Sequence, residues 1–226
     1  MKYELIGKTV PAVEITLNQG ESMYSQKGGM AWQSEGINMK TNAKGGIMKS
    51  LGRMFTGESI FMNTYTAEKD EAKVAFATTV PGDIVAINME KHPNGFILQK
   101  GAFLCAQPNV DIKVTFTKKF SSGFFGGEGF ILQKATGAGT LFLEVDGDPV
   151  IKKLAPGEVI KVDTGNIVGF ENSVSYEVEM VKGVGNIFFG GEGLFLTKLT
   201  GPGKVIIQTQ NFGDFAGKVV SIMPTK

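Results

Sequence analysis

Histidine, cysteine, arginine and tryptophan occur once each in this chain of 226 residues, as His92, Cys105, Arg53 and Trp32. Each scarcity closes off a class of chemistry. Zinc sites draw most of their ligands from cysteine and histidine, so one of each excludes a structural zinc site within a single chain. Nucleophilic catalysis needs a base beside the nucleophile, and the commonest base is histidine. His92 lies in the turn sequence His92-Pro93-Asn94-Gly95, and nothing around it suggests a serine or cysteine partner. A lone cysteine forbids an intrachain disulfide and is compatible with a reducing compartment. Cys105 sits in the apolar run Ala102-Phe103-Leu104-Cys105-Ala106 and reads as a small buried hydrophobe. Guanidinium forks are the preferred partners of phosphates and guanine edges. One arginine among 23 basic residues therefore speaks against reading a nucleic-acid sequence or clamping phosphate, while lysine patches stay open.

Charge of one sign is also lacking, with a net charge of +1, so no overall field draws the protein to nucleic acid or to an acidic membrane. No run approaches the ~18 apolar residues of a membrane span. The segment Met1-Lys2-Tyr3-Glu4-Leu5-Ile6 lacks the apolar core of a signal peptide. A cytoplasmic protein is expected.

What is present is glycine, 31 residues, about twice the usual ~7%. It falls singly or in pairs between apolar runs, as tight turns between short strands require. Val13, Ile15 and Leu17 alternate with Glu14 and Thr16, the period-2 pattern of a half-buried strand. The same alternation recurs over Val110–Phe116 and Val174–Met180, and strands are also expected over Lys73–Thr79 and Leu141–Val145. Asp146-Gly147 is a favoured hairpin dipeptide, which is the cheaper explanation of Asp146-Gly147-Asp148 than a calcium or magnesium site. Ala67–Lys73 is polar and charged and reads as a hairpin tip or a brief helix, or more simply as a solvated loop, and Met48–Met54 as a short helical turn. Trp32 is assigned to a core on its large apolar payload. No amphipathic helix of ten residues or more is expected, so the fold class is all-β, a sandwich or barrel.

The most informative stretch is Phe124-Phe125-Gly126-Gly127-Glu128-Gly129-Phe130, which returns as Phe188-Phe189-Gly190-Gly191-Glu192-Gly193-Leu194. A shift of 64 residues also carries Gly101 onto Gly165, Val110 onto Val174, Lys134 onto Lys198 and Gly139 onto Gly203, without a gap. A weaker third copy lies at Phe55-Thr56-Gly57-Glu58-Ser59. Phosphate loops end in Gly-Lys-Ser/Thr or open a helix; these glycines run into β-rich sequence, which rejects that reading. Glu58, Glu128 and Glu192 follow glycine at the same place in each copy. They either converge to bind a cation or basic partner, or accept hydrogen bonds from the adjacent glycine turn, and the second explains three copies without a ligand. The doubled phenylalanines are expected to pack between lobes or subunits. Two β lobes follow, a diverged copy over 1–109 and a second over 110–226 that holds both Phe-Gly-Gly-Glu-Gly motifs, packed as one compact unit.

An ordered set of motifs runs along the chain: Leu51-Gly52-Arg53-Met54-Phe55-Thr56-Gly57-Glu58-Ser59-Ile60-Phe61, Pro81-Gly82-Asp83-Ile84, both Phe-Gly-Gly-Glu-Gly segments, Val162-Asp163-Thr164-Gly165-Asn166-Ile167-Val168 and Gly201-Pro202-Gly203-Lys204-Val205-Ile206-Ile207-Gln208-Thr209. On these motifs the chain resembles the AIM24 family of uncharacterised bacterial proteins and their mitochondrial relatives. The resemblance implies a duplicated fold similar to the tryptophan RNA-binding attenuation protein (TRAP), arranged as a pseudo-sixfold trimer. It also implies a scaffold, since the mitochondrial relative is associated with inner-membrane organisation. The family brings no catalytic residue and no cofactor. The functional expectation is a non-enzymatic, homotrimeric scaffold or binding protein with an unknown protein partner. A nucleic-acid or small-ligand module on the TRAP-like ring, and a β-sandwich enzyme, are the alternatives. Arg53, Glu58, Glu128 and Glu192 are the candidate motif residues, with a structural role expected.

Overall fold

The computed structural model describes residues 1–26, 28–43, 61–118, 130–180 and 195–223. A leading strand β1 (Lys2–Ile6) is followed by β2 (Ala12–Leu17), β3 (Ser22–Gln26), β4 (Met30–Gln33), β5 (Ile37–Ala43), β6 (Phe61–Ala67) and β7 (Ala72–Ala77). Next come β8 (Gly82–Asn88), β9 (Phe96–Gln99), β10 (Phe103–Ala106), β11 (Val110–Lys118), β12 (Phe130–Gly137) and β13 (Thr140–Asp146). The last set is β14 (Pro149–Leu154), β15 (Val159–Asp163), β16 (Ile167–Glu171), β17 (Ser175–Met180), β18 (Phe195–Thr200) and β19 (Gly203–Gln208), before helix α1 (Phe212–Ser221).

After β1, the three sets of six strands pair alike. In each, the first and third strands flank the sixth, and the second and fourth flank the fifth. Thus β2 and β4 flank β7, β8 and β10 flank β13, and β14 and β16 flank β19; β3 and β5 flank β6, β9 and β11 flank β12, and β15 and β17 flank β18. Even the irregularities recur: the third strand is bulged at Met30/Trp32, at Phe103/Cys105 and at Ile167/Gly169. The fold is therefore a threefold repeat of a six-strand motif. The 64-residue shift superposes the last two repeats residue for residue, carrying Leu132 opposite Gln99 onto Leu196 opposite Asp163. No single shift relates the first two, because Trp32 corresponds to Cys105 at 73 residues but Val74 to Leu141 at 67.

The strands form four open sheets, ordered β1-β2-β7-β4 (sheet I), β5-β6-β3-β10-β13-β8 (sheet II), β11-β12-β9-β16-β19-β14 (sheet III) and β15-β18-β17 (sheet IV). Among the described residues none closes into a barrel, so the sandwich alternative is the one observed. The chain divides into two compact units, Met1–Pro93 with Gly101–Asp111 and Gly137–Val145, and Asn94–Lys100 with Ile112–Thr136 and Asp146–Lys226. In the first unit Val13, Ile15 and Phe76 of sheet I pack on Met23, Tyr65, Cys105 and Phe142 of sheet II. Tyr65 and Phe76 meet edge to face at 5.3 Å, the geometry that ring quadrupoles favour. In the second, Ile97, Phe130, Leu132, Phe170 and Val205 of sheet III pack on Val162 and Leu199 of sheet IV. Alternation explains both cores, since each strand presents every second side chain to the opposing sheet.

Two local expectations are corrected. Asp146-Gly147 does form a turn, with Gly147 at φ 69°, but it is not a hairpin. It carries the chain from β13 in sheet II to β14 in sheet III, and Gln208, Thr209 and Gln210 hold it through hydrogen bonds to Asp146 and Asp148. A ten-residue helix also exists. Asn211 caps α1 by accepting from Gly213 N at 3.0 Å and Asp214 N at 3.4 Å, which satisfies amides that have no partner within the helix.

Candidate functional site

Arg53, Glu58, Glu128 and Glu192, the two Phe-Gly-Gly-Glu-Gly motifs and the helical turn expected over Met48–Met54 lie outside the described residues. The topology nevertheless gives the motif copies a common address. They fall in the three connections between the fourth and fifth strands of a repeat, β5 to β6, β11 to β12 and β17 to β18.

Cys105 is fully buried, and burial pushes its thiol well above the ordinary range, as the sequence reading of a small hydrophobe requires. His92 is buried at the end of the short 3-10 turn Met89–Lys91, its amide donating to Met89 O at 3.0 Å. Glu144, also buried, accepts from the amide of Thr79 and, at 2.7 Å, from its hydroxyl. That carboxylate pins one loop to β13. Among the described residues no group of three or more His, Cys, Asp or Glu is placed to hold a metal ion.

Sequence reasoning missed a set of buried polar residues at one position of the fifth strand. Asn63, Gln133 and Thr197 are equivalent through their pairing with Ser25, Leu98 and Val162, and all three are buried. Asn63 Oδ1 accepts from Thr41 Oγ1 at 2.9 Å, and Thr197 shares a 3.0 Å hydrogen bond with Thr164. The signal was available at the 64-residue shift, which carries Gln133 onto Thr197. In the second unit an open cleft of about 440 Å³ is lined by Lys153, Pro156, Glu171, Ser173 and Pro202. Glu171 is committed there to the Lys204 amide at 2.8 Å.

The features with room to act on a partner are apolar. Trp32, expected in a core, is 43% exposed. It stands on the outer face of β4, where its indole N–H donates to Glu14 Oε2 at 3.0 Å. Lys73 Nζ pairs with the other oxygen of Glu14 at 2.6 Å, and these bonds hold the Glu14 carboxyl below its usual range. The reason the core assignment fails is register: Trp32 is opposite Ala75 and Ala75 opposite Glu14, on the face turned away from Val13, Ile15 and Phe76. Helix α1 carries Phe212, Phe215 and Val219 at helical spacing, followed by Ile222 at its C-cap, all exposed, and the helix buries none of its residues. No described helix is long and apolar enough to cross a membrane.

Comparison with known proteins places this architecture. A protein of Streptococcus pyogenes serotype M6 (strain ATCC BAA-946 / MGAS10394), itself uncharacterised, is 32% identical over 224 residues, covering 95% of this chain and 88% of its own. The crystal structure of another Streptococcus pyogenes protein matches with a TM-score of 0.80 at 26% identity, over 98% of this chain and 99% of that one. The model of the family described as "Mitochondrial biogenesis AIM24" matches residues 3–210. The match spans all three repeats and ends just before α1, and the chain therefore belongs to the AIM24 family.

Proposed function

We propose that this protein is a non-enzymatic oligomeric scaffold or binding protein of the cytoplasm, working as a homotrimer on a TRAP-like ring. The observation that carries the reading is the exposed apolar face of α1 and its C-cap, with Phe212 at 49%, Phe215 at 51% and the capping Ile222 at 81% accessibility. Contiguous apolar surface of this kind marks a contact with another molecule rather than a free surface. Support for three copies comes from the family resemblance. In this reading Glu58, Glu128 and Glu192 anchor the glycine turns between the fourth and fifth strands. The test is native mass spectrometry of the full chain at micromolar concentration. A trimer is the expected species, and a spectrum holding monomer alone would overturn the reading.

A further inference from the structure

Among the described residues the repeat pairing leaves one junction unmade. Within the chain, the second strand of one repeat pairs with the third strand of the next, and does so twice. Ser25 and Tyr24 of β3 stand opposite Cys105 and Ala106 of β10. Leu98 and Ile97 of β9 stand opposite Gly169 and Phe170 of β16. Among the described residues β15, the second strand of the third repeat, ends sheet IV. There too β4, the third strand of the first repeat, ends sheet I. These two edges are the two halves of the junction made elsewhere.

We propose that β15 of one copy of this chain pairs antiparallel with β4 of a second copy, continuing the repeat across the subunit boundary. The occupant of the β4 edge is thus a second copy of the chain, joined head to tail. The register follows from the repeats. Cys105 and Gly169 correspond to Trp32, and Ala106 and Phe170 to Gln33, through their places beside the bulge of the third strand. Ser25 and Leu98 correspond to Val162, and Tyr24 and Ile97 to Lys161, through their partners on the fifth strand. Trp32 therefore falls opposite Val162, and Gln33 opposite Lys161.

The chemistry of the two edges agrees. A free edge is normally blunted by charge, proline or a covering element, and β4 reads Met-Ala-Trp-Gln, with none of these in its sequence. Its bonding direction is also right. Ser34 N donates to Lys73 O of β7 at 2.8 Å; by antiparallel alternation the amide and carbonyl of Gln33 point away from β7, towards the strand proposed. At the two junctions within the chain, the residues corresponding to Gln33 and Lys161 are buried and carry no charge: Ala106 with Tyr24, and Phe170 with Ile97. At the proposed junction Gln33 and Lys161 are both exposed, and Lys161 Nζ is paired with Glu179 at 2.7 Å. Polar side chains suit a junction with one face in water. On the other face Trp32 would be set against Val162, at the margin of the second unit's core. A head-to-tail contact of this kind generates a ring if its rotation closes.

This inference rests on the oligomeric reading above, and cysteine cross-linking separates the two. Gln33→Cys and Lys161→Cys are made in separate chains; both sites are exposed, so folding is little taxed, and buried Cys105 is left in place. Opposed residues of an antiparallel hydrogen-bonded pair lie ~5.5 Å apart at Cα, within disulfide range. Mixing the two proteins under mild oxidation is expected to give a disulfide-linked heterodimer in excess of either homodimer. Gln33→Cys mixed with Val159→Cys, two residues out of register, is expected to give little. Emission from Trp32, the chain's one tryptophan, is expected to shift to the blue as concentration rises and the edge is covered. If native mass spectrometry shows an oligomer but no heterodimer forms, the β4–β15 contact is wrong while the oligomeric reading stands. If a chain carrying both Gln33→Cys and Lys161→Cys closes that disulfide as a monomer while the mixture gives no heterodimer, the pairing is made within one chain and the proposal falls. A protein that stays monomeric overturns both.

Discussion

Adding one methyl group at Gly169 tests the junction between repeats directly. A Cβ at this position would come 2.6 Å from Ile97 O, 2.6 Å from Phe96 Cε1 and 3.3 Å from Leu98 Cα. The Phe96 ring is fully buried and so has little room to move. The Ile97 carbonyl belongs to the β9–β16 ladder, where Gly169 is opposite Leu98 and Phe170 opposite Ile97. Relief requires β16 to withdraw from β9. Overpacking of a filled core costs about 1–3 kcal/mol, and a weakened ladder hydrogen bond adds about 1 kcal/mol. At about 2–4 °C per kcal/mol for a chain of this size, Gly169→Ala is expected to lower Tm by roughly 4–16 °C. Gly101→Ala is the matched control: nothing lies within 4 Å of its Cβ and its φ is not in the left-handed region, so Tm should hold. Differential scanning fluorimetry of both variants reads the difference. Equal melting temperatures for the two would refute the close approach of β9 and β16, and with it the register on which the repeat is built.

Two further outcomes follow from ionisable groups. Burial, with a contribution from Asp214, raises the Asp163 carboxyl above its usual value, against a hydrogen bond from Gly165 N. A raised carboxyl stabilises the fold fully below the unfolded value near 3.8 and loses that contribution as pH rises through the folded value. Asp163→Asn keeps an oxygen to accept from Gly165 N, so its Tm is expected to exceed that of the parent at pH ~7 by a margin that shrinks towards pH ~4; a margin that grows in acid would contradict the assignment. The Cys105 thiol, buried and shifted upward, should resist a thiol reagent in the native protein and react once denaturant is added, whereas stoichiometric labelling without denaturant would place it elsewhere.

Some elements were legible because their signal is local. The alternation of Val13, Ile15 and Leu17 became β2, and that of Val110–Phe116 falls within β11 (Val110–Lys118). Helix α1 was missed because Gly213 and Gly217 each cost a helix about 1 kcal/mol relative to alanine and its apolar stripe spans only three turns. Its cap, Asn211, was the readable sign. Trp32 was misplaced because hydrophobicity names a preference for burial, while the bulge in β4 and its register with Ala75 decide which face a side chain occupies. The third repeat was half visible. One gapless shift links the last two copies, whereas turns of different length separate Trp32 from Cys105 and Val74 from Leu141 by different amounts.

By itself the sequence determined the all-β class, the duplication and the AIM24 likeness, because these rest on residue type, period and order along the chain. Which strand pairs with which was decided only in three dimensions. A period-2 strand satisfies its alternation against any neighbour, and β3 meets β10 across some 80 residues of chain for reasons no local window contains. The threefold repeat, the buried positions of Asn63, Gln133 and Thr197, and the unmatched edges of β4 and β15 all belong to that pairing. They exist only once hydrogen bonds between distant strands have closed.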